Sequence, residues 1–188
     1  MDFNHIIKSR HSTTSFKKHS LSWKPILESI NDTLQGPFAG NWNNLKFVII
    51  EDSETIKKLS QFAHQYWIST ASIIVLVCSE EKHLEELYGE RGRIYSRQQA
   101  GAAINTLTMS LANKGIQSCW VGAYDDNDIR VLLKIPGQVL IEAMVPIGYS
   151  AQKRQHKRKK QLEHSIFWEK WDASRRAGIF EESEEHLN

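Results

Sequence analysis

The sequence is poor in the residues that build cross-linked or membrane-spanning proteins. Its 188 residues include two cysteines, Cys78 and Cys119, which are too few for a disulfide framework and suit a reducing compartment. No apolar run approaches the roughly 20 residues that cross a bilayer, and the longest candidate, residues 73–78, has the length of a strand. The first residues lack the apolar stretch of a secretory signal. We therefore expect a cytoplasmic protein without a membrane partner.

The chain also lacks an excess of either charge. Lys and Arg number 24 and Asp and Glu number 22, so the net charge is +2. This small value hides a basic run at residues 153–160, with six positive side chains, and an acidic stretch at residues 181–185. One hypothesis is therefore a protein that binds nucleic acid or another acidic partner through the basic run. No Phe, Trp or Tyr is interleaved with this run, and the hypothesis leaves the motifs described below unexplained.

Apolar and β-branched residues predict an α+β fold. Four segments have the composition of strands, residues 45–51, 72–79, 117–124 and 139–148. The second is apolar on both faces, which predicts a central position in the sheet. Residues 98–114 predict a helix with small or apolar side chains nearly all round, and such a helix is usually covered on more than one side.

Motifs of hydrolases, P-loop proteins and metal sites are absent from the sequence. The eight histidines have no ligand spacing, so we expect no metal site and no catalytic side chain. Three other segments stand out: residues 10–12 (Arg-His-Ser), residues 38–43 (Phe-Ala-Gly-Asn-Trp-Asn) and residues 119–123 (Cys-Trp-Val-Gly-Ala). The first has the donors to bind a phosphate, although a capped helix end with solvated charges explains this segment better when it is taken alone. The second is either a ligand loop or a plain turn.

Taken in order, these segments resemble the nitroreductase family of FMN-dependent oxidoreductases. The resemblance is carried by residues 10–16 (RHSTTSF), 37–45 (PFAGNWNNL), 115–122 (GIQSCWVG), 147–149 (IGY) and 157–163 (KRKKQLE). It implies one domain over residues 1–188 with a central mixed sheet of about four to five strands flanked by helices. A long buried helix would lie at a dimer interface, and residues 151–188 would pack on the partner subunit.

The resemblance also implies an activity. A homodimer would hold FMN in shared sites and use NADH or NADPH to reduce nitroaromatics, quinones or similar electron-poor small molecules in a ping-pong cycle. The flavin would carry the chemistry, which agrees with the absence of a catalytic motif. An alternative within the same fold is a specialised flavoenzyme that performs dehydrogenation, dehalogenation or flavin breakdown.

Carried over by position, the resemblance assigns fourteen residues to FMN. They are Arg10, His11, Ser12, Thr14, Pro37, Phe38, Ala39, Asn41, Asn43, Val121, Gly122, Lys157, Arg158 and Lys159. Those at positions 10–14 and 157–159 would meet the phosphate arm, those at 37–43 would come from the other subunit, and Val121 and Gly122 would flank the ring. Residues 79–98 would cap the substrate pocket, with Tyr88 and Tyr95 as its aromatic candidates, ordinary surface packing being the alternative for both.

Overall fold

A computed structural model describes residues 2–152 and 165–171 of the chain. The chain divides into two compact units, residues 1–153 and 154–188. In the described part of the second unit, the rings of Phe167 and Trp171 pack with their centroids 4.7 Å apart. The first unit contains the sheet and the helices described below.

The described residues form six α-helices and four β-strands. The helices are α1 (Phe3–Ser9), α2 (Lys24–Thr33), α3 (Ser53–Phe62), α4 (Lys82–Tyr88), α5 (Glu90–Asn113) and α6 (Asp126–Leu133). The strands are β1 (Leu45–Ile50), β2 (Ile73–Ser79), β3 (Gln117–Ser118) and β4 (Leu140–Gly148). Short 3-10 helices occupy Ala39–Asn41 and Tyr66–Thr70. The predicted α+β class is therefore confirmed.

The strands form one sheet in the order β1-β2-β4-β3, and all three pairings are antiparallel. Every residue of β2 is buried, and β2 lies between β1 and β4. The prediction of a central second strand is confirmed, because a strand that is apolar on both faces needs cover on both. Among the described residues, the parallel element is a single bridge between Ser12 and Ser118 at the β3 edge.

The alternating side chains of β2 divide the core into two layers. Val75 and its neighbours on the same face pack with Ile26 of α2 and Leu107 of α5. Leu76, on the opposite face, packs with Leu59 of α3 and, through the same cluster, with helix α6. The sheet is thus covered by α2 and α5 on one side and by α3 and α6 on the other, as a sheet with two apolar faces requires.

Helix α5 begins eight residues before the predicted start, because the charged stretch around Arg93 continues the helix from Glu90. The chain buries one stripe of this helix, at the spacing of three and four residues that defines a helix face. The buried residues are Gly92, Ser96, Gln99, Ala100, Ala103, Ile104, Leu107, Thr108, Leu111 and Ala112. Other positions stay accessible, and the side chain of Ile94 is 47% exposed.

Strand β3 is shorter than the predicted strand over residues 117–124. Regular pairing stops after Ser118, and Val121 then makes an isolated bridge to Met144. Cys119 lies opposite Pro146 and donates its N–H to the Pro146 carbonyl over 3.1 Å. Pro146 has no N–H with which to return the bond, so the ladder is interrupted at this pair.

The model contains no helix, within its described residues, that is long and apolar enough to cross a bilayer.

The crossing of α4 and α5 depends on Gly92, and this yields a test of the packing. A Cβ at Gly92 would collide with the backbone carbonyl of Leu84. We predict that Gly92→Ala lowers the free energy of unfolding by about 1–3 kcal/mol, although alanine is the better helix former. Urea denaturation followed by circular dichroism measures this change.

The matched control is Gly137→Ala, because a Cβ at that position meets nothing within 4 Å. Its free energy of unfolding should stay within about 0.5 kcal/mol of the unmodified protein. Equal stability of the two variants would contradict the close α4–α5 contact.

Candidate functional site

The segment after α1 is fastened to the edge of the sheet. Thr13 donates its N–H to the carbonyl of Ser118 over 3.1 Å, next to the bridge between Ser12 and Ser118. Phe16, only 4% exposed, packs against Gly148, where a Cβ would lie 3.0 Å from the ring. These contacts place residues 10–12 beside the point where β3 ends.

The polar groups at this edge have distinct surroundings. The Ser12 hydroxyl and the positive charge of Arg10 both act to lower the pKa of the Cys119 thiol, while burial raises it. His11 is held through its ring, whose Nδ1 lies 3.1 Å from the carbonyl oxygen of Ser9. The hydroxyl of Thr13 is buried without a hydrogen-bond partner among the described residues. The edge therefore offers one guanidinium and several hydroxyl groups, with Thr14 exposed beside them.

The backbone beyond β3 is open at Gly122. Val121 is buried and exchanges two hydrogen bonds with Met144, at 2.9 and 3.0 Å. The next residue, Gly122, is exposed, and a Cβ built on it would meet nothing within 4 Å. The ring of Trp120 packs 3.7 Å from the position of a Cβ on Gly101, a residue of α5. A flat ligand can therefore approach the peptide at Gly122 without meeting a side chain there.

A second group of predicted residues lies on the loop of residues 36–44. Gly40 and Asn41 both have positive φ, +58° and +55°. A Cβ on Gly40 would lie 2.7 Å from the hydroxyl of Tyr88, so a larger residue would have to displace the end of that side chain, and the positive φ also favours glycine. The side chain of Asn43 accepts a hydrogen bond from the N–H of Leu45 over 2.9 Å and so marks the start of β1.

This loop encloses a cavity against α5. The cavity has a volume of about 480 Å³. Its lining consists of Pro37, Phe38, Ala39, Tyr95, Gln98, Gln99 and Ala102. This lining, drawn from the described residues, has aromatic and amide groups but no carboxylate, lysine or arginine. Tyr88 stands behind Tyr95 in an edge-to-face pair with ring centroids 5.4 Å apart.

The structure thus gathers the predicted residues into two groups. Residues 10–14 with Val121 and Gly122 form the group at the sheet edge, and residues 37–43 form the loop group. Both contact α5, the first through Trp120 on Gly101 and the second through Gln99. Lys157, Arg158 and Lys159 lie outside the described residues.

Comparison with known proteins bears on this arrangement. The model of the nitroreductase family matches residues 60–149. A protein of Archaeoglobus fulgidus, provisionally named an NADH dehydrogenase/NAD(P)H nitroreductase, is 26% identical over 149 residues, which are 77% of this chain and 83% of that protein. The resemblance to the nitroreductase family is confirmed.

Solved nitroreductase structures show the same fold. A Bacillus subtilis crystal structure, provisionally titled a nitroreductase, matches with a TM-score of 0.80 at 19% identity and covers 88% of this chain and 98% of that one. A structure from Clostridium difficile titled an FMN-dependent nitroreductase matches with a TM-score of 0.75 at 18% identity, with coverages of 88% and 98%. The predicted nitroreductase-like fold is confirmed.

Sequence reasoning missed one part of the site in this nitroreductase fold. Three buried polar side chains, Asn44, Ser96 and Gln99, are hydrogen-bonded to one another beneath the loop. The available signal was the presence of Ser96 and Gln99 on the inner face of a helix whose other buried residues are small or apolar. Tyr95 was named as a candidate for the pocket, and it does line the cavity.

The two free thiols provide a test of the local environment. Burial raises the pKa of Cys78 to about 11, and burial also raises the pKa of Cys119 although Ser12 and Arg10 oppose it. We predict that both thiols react with a disulfide reagent at pH 8 more slowly in the folded protein than in denaturant, by about 100-fold for Cys78, because little thiolate is present.

The free energy of unfolding should depend on the ionisation of the Cys78 thiol. Between the unfolded and folded pKa values of Cys78 the folded protein keeps a proton that the unfolded chain has lost, so the free energy of unfolding falls as the pH rises from about 9 to 11. A fast burst of one thiol equivalent in the folded protein at pH 8 would contradict the burial of these side chains.

Proposed function

We propose that this protein is an FMN-dependent oxidoreductase that uses NADH or NADPH to reduce nitroaromatics, quinones or similar electron-poor small molecules. The observation that carries the proposal is the cavity between Phe38 and Tyr95, which has room for a flat aromatic molecule and whose lining, among the described residues, contains no carboxylate, lysine or arginine. The names of the similar proteins, which include NAD(P)H nitroreductases and an FMN reductase from Bacillus subtilis, support an oxidoreductase.

The residues at the sheet edge fit the charged end of FMN. Its phosphate carries close to two negative charges, and Arg10 and Ser12 offer a cation and a hydroxyl at one place. His11 would contribute through its backbone, since its ring is bonded to Ser9. Lys157, Arg158 and Lys159 are proposed to close on the same phosphate, and Thr14 would add no charge to it.

The flat end of FMN fits the open backbone at Gly122 and the apolar loop. Val121 and Gly122 would flank the ring, while Pro37, Phe38, Ala39, Asn41 and Asn43 would approach it from a partner subunit. Bound FMN would supply the hydride and electron transfer. The side chains of this protein would orient the reactants and exclude water, and the reductant and the oxidant would occupy the one cavity in turn, as a ping-pong mechanism requires.

We further propose a homodimer. Helix α1 has no buried residue in the single chain, and its side chains Phe3 and Ile7 are 67% and 50% exposed. Trp120 is 47% exposed where it packs on α5. Apolar groups left accessible near both site groups are expected to pack against a second subunit. The proposal also assigns residues 151–188 to the same domain and has them pack on the partner. It further places the protein in the cytoplasm.

Arg10 gives the test of the flavin site. We predict that the purified protein binds FMN, seen as flavin absorbance and quenched flavin fluorescence. Arg10→Ala should weaken FMN binding roughly 10- to 150-fold, since a hydrogen bond to a charged group contributes about 1.5–3 kcal/mol. Lys8→Ala is the control, because it removes the same charge two residues earlier, at an exposed position on α1, and should change the Kd less than about threefold. A protein that retains no flavin absorbance after free FMN has been removed would contradict the proposal.

Helix α1 gives the test of the dimer. Light scattering at micromolar concentration should report twice the chain mass of 21.7 kDa. The double substitution Phe3→Glu and Ile7→Glu should shift the protein to the monomer and weaken FMN binding with it, because each site would lose the loop of the other subunit. Val131→Glu is the control, since Val131 on α6 is 79% exposed and lies away from α1 and α5. A monomer in the unmodified protein would rule out the shared sites.

A further inference from the structure

The loop of residues 36–44 turns through two consecutive residues with positive φ, Gly40 and Asn41. Glycine adopts this region freely and asparagine does so more readily than most residues, so the turn itself suits the sequence. The position of the turn against the helices is set by contacts from α4 and α5. These contacts are the hydroxyl of Tyr88 at Gly40, the ring of His83 tilted against that of Trp42 with centroids 4.1 Å apart, and the side chain of Gln99.

Gln99 makes the most extensive of these contacts. Its Oε1 accepts the N–H of Ala39 over 2.7 Å, and its Nε2 donates to the Oδ1 of Asn44 over 2.8 Å and to the carbonyl of Trp42 over 3.3 Å. One carboxamide therefore joins the beginning and the end of the loop. The residue is only 5% exposed, so water does not replace these bonds.

A second buried amide extends the network. Asn44, 2% exposed, donates through its Nδ2 to the hydroxyl of Ser96 over 2.7 Å, and Ser96 is fully buried on the same face of α5 as Gln99. The carbonyl of Asn44 accepts the N–H of Glu80 over 2.9 Å, which ties the loop to the end of β2. The side chain at position 99 must therefore both accept a hydrogen bond, from Ala39, and donate hydrogen bonds, to Asn44 and Trp42, as a carboxamide does.

We propose that Gln99 is a positioning residue that sets the loop carrying Phe38 and Ala39, and that it thereby determines the affinity of the site for flavin and for aromatic oxidants. Gln99 lines the cavity together with Tyr95 and Ala102 of the same helix. This inference rests on the proposed function, because the loop is assigned to the flavin there.

The sharpest variant is Gln99→Glu, which keeps the shape and removes the donor. An ionised carboxylate would face the Oδ1 of Asn44 and the carbonyl of Trp42, two acceptors, whereas a protonated carboxyl can still donate to one of them. We expect FMN binding and the KM for a benzoquinone to be impaired roughly tenfold or more at pH 8, and to recover toward the unmodified values at pH 5. Neither the unmodified protein nor the control Gln61→Leu, an exposed position on α3, should show this recovery.

A milder variant covers the case in which Gln99→Glu does not fold. Ser96→Ala removes the partner of Asn44 and leaves Gln99 in place, and it should weaken FMN binding about threefold or more while circular dichroism shows a folded protein. The KM for the quinone should rise in step, with kcat changed less.

Two outcomes distinguish a failure of the inference about Gln99 from a failure of the proposed function. If Gln99→Glu and Ser96→Ala lower the Tm but leave the Kd for FMN and the KM of the folded protein unchanged, these residues only stabilise the fold and the inference is wrong. If the unmodified protein binds no FMN at all, the proposed function itself is overturned, and the inference with it.

Discussion

The buried stripe of helix α5 is the constraint on which the rest of the site depends. Side chains such as Ile104, Leu107 and Leu111 are at most 1% exposed against the sheet, and each contributes about 1.5–3 kcal/mol through burial. A continuous helix of 24 residues extends about 36 Å, so it passes beneath both groups of candidate residues. Trp120 lies on Gly101, and the loop lies on Gln99, two residues earlier. Helix α5 therefore determines where each group of candidate residues lies within the subunit.

Polar side chains within an apolar layer need an explanation, because an unpaired buried amide costs about 1–3 kcal/mol. Gln99, Asn44 and Ser96 avoid this cost by bonding one another and the loop backbone. An apolar helix face would have supported the sheet equally well, but it would have left the N–H of Ala39 without this partner. The amides are therefore better explained by the shape of the loop than by the stability of the core.

The sequence predicted the helices and strands well where the pattern of neighbouring residues determines them. Strand β2 was correctly placed in the centre because its residues are apolar on both faces, and this property is visible along the chain. The start of α5 was missed because the charged residues around Arg93 are typical of an exposed loop as well as of a helix. The length of β3 was overestimated because its pairing is interrupted at Pro146, which lies on β4, 27 residues after its partner Cys119.

The sequence predicted a set of candidate residues without a geometry for them. The order of short motifs indicated the resemblance to the nitroreductase family and proposed Arg10, Phe38 and Gly122 as site residues, and the structure places these residues in two groups. The motifs did not indicate Gln99, because a polar residue on the inner face of a helix shows that it needs a partner but not which loop provides one. That contact joins positions 60 residues apart and arises only when the helix and the loop are packed together.

The distribution of charge links the two groups to one kind of ligand. The sheet edge has the guanidinium of Arg10, whereas the cavity lining has no charged side chain among the described residues. In the proposed dimer, the sheet edge of one subunit and the loop of its partner would together suit a molecule with an anionic end and a flat, uncharged end, and FMN has this form. Under that proposal the cavity would offer an oxidant shape and amide groups but no fixed charge, so Phe38 and Tyr95 would discriminate among oxidants by shape. The loop that carries Phe38 is bonded to Gln99 of α5, so the packing of one helix would govern this selectivity.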